Sequence, residues 1–168
     1  MGPANDLRHG TQSAGAGVVN RRLLSSRRPL LVLTGLYCLA SFTHFFHNAE
    51  FCGEYPNLPV WISRSTVYLS WLGITAIGGA GVWFTWSRRP LPGLGLLALY
   101  ALLGFAGLGH YTRAPIARHT LAMNLAIWFE VIAGALLLTI ALKELWAEHR
   151  RVAVSRGRSG RDRIGGAA

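Results

Sequence analysis

Charge is what this 168-residue sequence has least of: Asp, Glu, Lys and Arg make up 14% of it, against roughly a quarter in an ordinary soluble domain. A soluble domain of this length covers its surface with charge, and this chain has too little to do so. Cysteine is scarce as well, with only Cys38 and Cys52. A mostly helical stretch between them, rising about 1.5 Å per residue, puts them roughly 20 Å apart, too far to bridge, so no disulfide framework is expected. A Walker-type loop, a GxGxxG phosphate turn, a Ser/His/Asp set and zinc-finger spacing are all missing. The first apolar run starts only near Pro29, is long enough to span a bilayer and has no small-residue cleavage site after it, so no signal peptide is expected.

What the chain does have is apolar sequence, 51% of its residues, gathered into four runs at about 29–48, 65–86, 91–111 and 119–142. Each is close to the ~20 residues that cross roughly 30 Å of hydrocarbon. Pro56 and Pro59 separate the first two, and Arg88-Arg89-Pro90 the next two. The pattern predicts an all-α protein, an integral membrane four-helix bundle occupying 29–146. Residues 1–28 and 147–168 are polar and basic and are expected to be disordered tails. The run KELWAEHRR after the fourth span reads as an interfacial extension.

The net charge is +10, and 16 of the 17 basic residues are arginine. The arginines flank apolar runs, which points to topology and attraction to anionic lipid rather than to nucleic acid. Fourteen of the 17 lie in the N-terminal tail, the 88–89 loop and the stretch from Lys143 onward; only Arg64, Arg113 and Arg118 lie in the other two loops. The positive-inside rule then gives both termini in the cytoplasm, N-in and C-in. Trp61, Trp83, Trp86, Tyr111 and Trp146 near the span ends fit an aromatic belt. Arginine-rich, Ala/Gly/Leu-rich composition suggests a GC-rich bacterial genome and hence a bacterial inner membrane. The expected surroundings are the lipid bilayer, with a larger membrane complex or a homo-oligomer as candidate partners.

Glycines 73, 78, 79 and 81 in span two and 93, 95, 104, 107 and 109 in span three predict a tightly packed hairpin, since small residues let membrane helices approach. The polar residues fall elsewhere. Tyr37, Ser41, His44 and Asn48 are spaced i, i+4, i+7, i+11 along one helical face, with His47 flanking them and Glu50 at the helix end. His119, Met123, Ala126 and Glu130 repeat that spacing in span four, beside Asn124. Glu130 is the one carboxylate deep in any span, so it must be protonated or paired, and His44 and Tyr37 lie at matching depth. With His110 ending span three, four histidines gather at one end of the bundle, nearest the outer leaflet.

Three kinds of site fit this set. The first is a transition-metal site built from His44, His47, Glu50, His110 and His119, in a redox, metal-handling or complex-accessory role; Cys52 and Met123 add softer donors if the metal is copper. The second is haem b held between His44 or His47 and His110 or His119, with Gly104, Gly107 and Gly109 making room for the macrocycle. The third is a membrane enzyme in which Glu130, His44 and Tyr37 do acid/base chemistry on a sterol- or quinone-like substrate. The four-span layout with buried His and Glu resembles that of sterol isomerases, although no residue motif of that family is matched and none of its residues is carried over. A structural or regulatory subunit without a cofactor is the remaining class. The segment 50–64, rich in aromatic and apolar residues, reads as an interfacial anchor built on Tyr55 and Trp61, with a re-entrant cap over the histidines as the alternative. Arg113 and Arg118 are expected to pair with Glu50 and Glu54 or to bind an anionic group.

Overall fold

The computed structural model describes the backbone of residues 10–87 and 89–165 and the side chains of 27–87 and 89–155. It is all helical. Four helices run antiparallel in chain order: α1 (Gly10–Glu50), α2 (Arg64–Trp86), α3 (Pro90–Leu103) and α4 (Leu121–Gly165). Within them lie four stretches long and apolar enough to cross a membrane, Arg27–Glu50, Arg64–Trp86, Pro90–His110 and Leu121–Ser155. The disorder expected of the tails falls on residues 1–9 and 166–168, outside the described residues, and on stretches where the backbone continues α1 back to Gly10 and α4 on to Gly165. The outward faces are apolar, with Val32, Leu69, Leu72, Leu125 and Ile132 all exposed. A continuous apolar surface of this kind marks contact with lipid or another apolar partner.

Local signals explain where the helices begin. Ser63 and Thr66 form a reciprocal capping box at the start of α2, satisfying two of its orphan N–H groups. Pro90 opens α3 at a position where its missing N–H costs nothing. Thr120 Oγ1 accepts the Met123 N–H at 3.2 Å and caps α4. This last cap corrects the expected fourth span. His119 has extended backbone and lies before the helix, so the i, i+4 stripe begins at Met123; Met123, Ala126 and Glu130 are buried.

The sharpest departure from the sequence reading is in the third span. After Leu103 the backbone tightens into a 3-10 helix, Gly104–His110. In a 3-10 helix residues i and i+3 eclipse one another, so Gly104, Gly107 and His110 share one face, and all three are buried. That face meets α1.

Packing divides the bundle along its length. The half nearer the tails holds an apolar core that includes Leu30, Leu94, Leu97, Ala133 and Leu137. Tyr37 and Tyr100, edge to face with ring centroids 4.6 Å apart, close it off from the histidine half. The α2–α3 hairpin is held by glycine: a Cβ on Gly78 would stand 2.7 Å from the Tyr100 ring, one on Gly81 2.9 Å from Leu97, and one on Gly93 would collide with the Thr85 backbone. Gly73, Gly79 and Gly95 have nothing within 4 Å of that position, so these three do not close the hairpin. At the tail end Arg27 donates to the Thr85 carbonyl at 2.7 Å, tying α1 to the C-terminal end of α2.

These contacts predict opposite outcomes for two neighbouring glycines. Gly93→Ala should lower stability by roughly 1–3 kcal/mol, the usual cost of overpacking. Gly95→Ala should match or slightly exceed wild type, gaining up to about 1 kcal/mol of helix propensity. Thermal unfolding of the detergent-purified protein distinguishes them, and equal effects would contradict the close approach at Gly93.

Candidate functional site

The site begins with the stripe on α1. At one helical turn per step, Tyr37, Ser41, His44 and Asn48 point into the bundle; Tyr37, Ser41 and His44 are buried outright. Facing them from α4 is Glu130. His44 Nδ1 and the Glu130 carboxylate are paired, and the two side chains are 3% and 2% exposed. Each answers the other's need: an unpaired carboxylate at this position would be costly. Gly107 makes the approach of the third segment feasible, since a Cβ there would stand 3.0 Å from His44 Cε1 and 3.4 Å from Glu130 Oε2. Gly104 and Gly134 leave room for the Tyr37 ring in the same way.

Three more histidines surround this pair. The His110 ring lies 5.5 Å from that of His44 and 6.2 Å from that of His119, centroid to centroid. Asn48 Nδ2 donates to His110 Nε2 at 3.2 Å. His119 Nδ1 donates to the Pro115 carbonyl at 3.1 Å. His47 is half-buried and accepts from the Tyr55 hydroxyl at 3.0 Å.

The connection between α1 and α2 folds over this end. Tyr55 is only 3% exposed, whereas Trp61 is 71% exposed. The Tyr55 ring lies against His110, tilted by 41°, with centroids 4.8 Å apart. Burial raises the Tyr55 phenol above its ordinary range, so it stays a hydrogen-bond donor at neutral pH. Asn57, in the left-handed conformation at φ 55°, donates to the Arg113 carbonyl at 2.8 Å and ties this connection to the one between the third and fourth spans. Tyr55 thus belongs to the site, and Trp61 alone sits as a surface anchor would.

Several expected members stand elsewhere. Glu50 accepts from Tyr68 at 2.6 Å and from Arg64 at 2.8 Å, so it joins neither the histidines nor Arg113 and Arg118. Arg64 opens the next helix and is simply nearer. Asn124 binds Tyr111 at 2.8 Å and the carbonyls of Ile116 and His119 at 3.3 Å, which fixes the loop that carries His119. Met123 is buried beside the site. Cys38 and Cys52 are free. Among the described residues no three His, Cys, Asp or Glu side chains converge as a metal-ligand set. The space beside Gly104 and Gly107, expected to admit a macrocycle, is filled by the Tyr37 and His44 rings.

What remains is a row of polar atoms without protein partners. Tyr37 OH, Ser41 Oγ, His44 Nε2 and Asn48 Oδ1 on α1, and His119 Nε2 opposite, are all buried and unbonded. A buried polar atom left unpaired costs about 1–3 kcal/mol, and a concentration of them calls for a bound water or a polar ligand group. With the Glu130 carboxylate as acceptor, His44 carries its proton on Nδ1 and bares a lone pair at Nε2; the Pro115 carbonyl imposes the same tautomer on His119. This half of the bundle therefore holds two imidazole nitrogens and two hydroxyls that are buried and unbonded. Compared with known proteins, the chain matches no family model, no curated protein and no solved structure.

Proposed function

We propose that this chain is a membrane protein in which the His44–Glu130 pair transfers protons to and from a lipophilic substrate. The observation that carries the reading is His44 itself: Nδ1 is held by a buried carboxylate while Nε2 is buried and unbonded. A base oriented by a third group, with its free nitrogen turned to the reacting position, is the arrangement general acid–base catalysis requires. Glu130 keeps the imidazole in the right tautomer and stabilises the cation formed when Nε2 takes a proton. Tyr37 and Ser41 hydroxyls on the same face supply donors to charge developing on a substrate oxygen. The chemistry needs no preformed metal set, and the apolar surroundings select a substrate that enters from the bilayer.

The test is a search for isotope exchange. Membrane lipids and quinones incubated with the purified protein in D2O should acquire deuterium in one lipid class. His44→Ala and Glu130→Gln should slow that incorporation by roughly 10²–10⁴-fold, the usual contribution of a positioned acid or base. Mass spectra identical for wild type and both variants would contradict the proposal.

The reading includes an orientation, supported by the arginine count: both tails and the 88–89 loop cytoplasmic, with the histidine end toward the outer leaflet. In a chain with Cys38 and Cys52 replaced by serine, an impermeant maleimide added to intact cells should label Thr112→Cys and spare Ser87→Cys. The reverse labelling would place the histidines on the cytoplasmic side.

A further inference from the structure

The seam between α1 and α2 is the loosest of the bundle's sequence-adjacent contacts, and it holds two cavities one above the other. The outer, of about 200 Å³, is walled by Phe45, Asn48 and Val67, roofed by Trp61, and reaches Arg113 and His110. The deeper, of about 380 Å³, runs along Thr34, Cys38, Thr75, Gly79 and Tyr100. On α1 their walls are seven residues apart, Cys38 to Phe45, or roughly 10 Å along the helix. Phe42 and Trp71, with ring centroids 5.1 Å apart, stand between them. The outer cavity is smaller than an ordinary small-molecule site of roughly 300–1,000 Å³ and the deeper one sits at the low end of that range; a molecule occupying both is long and passes the Phe42–Trp71 pair.

Their chemistry differs end to end. Arg113 makes no ion pair among the described residues, and beside it lies the buried, unpartnered Asn48 Oδ1. The deeper part is almost wholly apolar, with the buried hydroxyls of Thr75 and Tyr100 among its few polar groups. A lone cation at the mouth and scattered donors below describe a molecule with an anionic head and a hydrocarbon body carrying an oxygen.

We infer that the α1–α2 seam binds a single-chain amphiphile with a carboxylate or phosphate head held by Arg113, and that it delivers the substrate of the His44–Glu130 pair. The delivery half rests on the proton-transfer reading; the binding half does not. His110 joins the two places, since it lines the outer cavity and its ring lies 5.5 Å from that of His44.

The experiment uses full-length protein in phosphatidylcholine nanodiscs with a photoreactive palmitic acid, its methyl ester serving as the uncharged control. The acid should label peptides of α1 and α2 that border the seam. Arg113→Ala should weaken capture of the acid about tenfold, as loss of one charge-assisted hydrogen bond does, and leave the ester unaffected. Arg113→Lys should retain most of the capture. Gly79→Leu, which fills the deeper cavity at a position with nothing within 4 Å, should reduce capture of both probes. Equal capture of acid and ester, or label spread evenly over all four helices, would overturn the site. Displacement of the probe by phosphatidylglycerol would identify a bilayer-lipid site and overturn delivery of a free amphiphile. Capture is read on protein whose His44–Glu130 pair is intact and needs no turnover, so failure of the proton-transfer reading and failure of this one give different results.

Discussion

The pairing of His44 with Glu130 is the constraint on which the histidine half of the bundle depends. It joins α1 to α4 where neither side chain has water to fall back on. Removing either partner would strand the other, and a buried charge without its counterpart is among the most destabilising single changes a protein can suffer. Once α1 and α4 are fixed in register by this pair, the third segment passes close beside them, where a Cβ at Gly107 would crowd His44 Cε1 at 3.0 Å.

The 3-10 helix from Gly104 to His110 follows from that demand. An α-helix would turn residues 104, 107 and 110 progressively around its axis; the tighter winding keeps them on one line. Two glycines then receive Tyr37 and His44, and the line ends in His110, which packs against the tilted ring of Tyr55. The connection between α1 and α2 closes over the top through Tyr55 and is held to the opposite loop by Asn57. The tail half needs none of this. There a leucine and alanine core and the glycine contacts of α2 with α3 suffice.

Much of the fold was legible because apolar runs of membrane length are a strong signal. The four stretches agree with the runs read from the sequence to within about two residues, except that the fourth continues past Leu142 as one helix. The α1 stripe was legible for the same reason: helical spacing puts Tyr37, Ser41, His44 and Asn48 on one face, whatever they touch. His119 was misplaced because its i, i+4 relation to Met123 gives no hint that Thr120 caps the helix between them. Which glycines pack was hidden as well, since Gly93 and Gly95 differ only in what faces them. Tyr55 was missed as part of the site because an aromatic near a span end looks the same whether it anchors at a surface or folds inward; the Pro-Asn turn after it was the one local sign of a chain doubling back.

Buried imidazole nitrogens and hydroxyls without protein partners are what the proposed proton transfer rests on. The account stands or falls on the state of one ring. Nitrogen-15 NMR of specifically labelled His44 in lipid bilayers reads it directly. The account predicts a protonated Nδ1 hydrogen-bonded to carboxylate and a non-protonated Nε2, with the Nδ1 signal moving on Glu130→Gln. A proton on Nε2, or a His44 spectrum indifferent to Glu130, would contradict it.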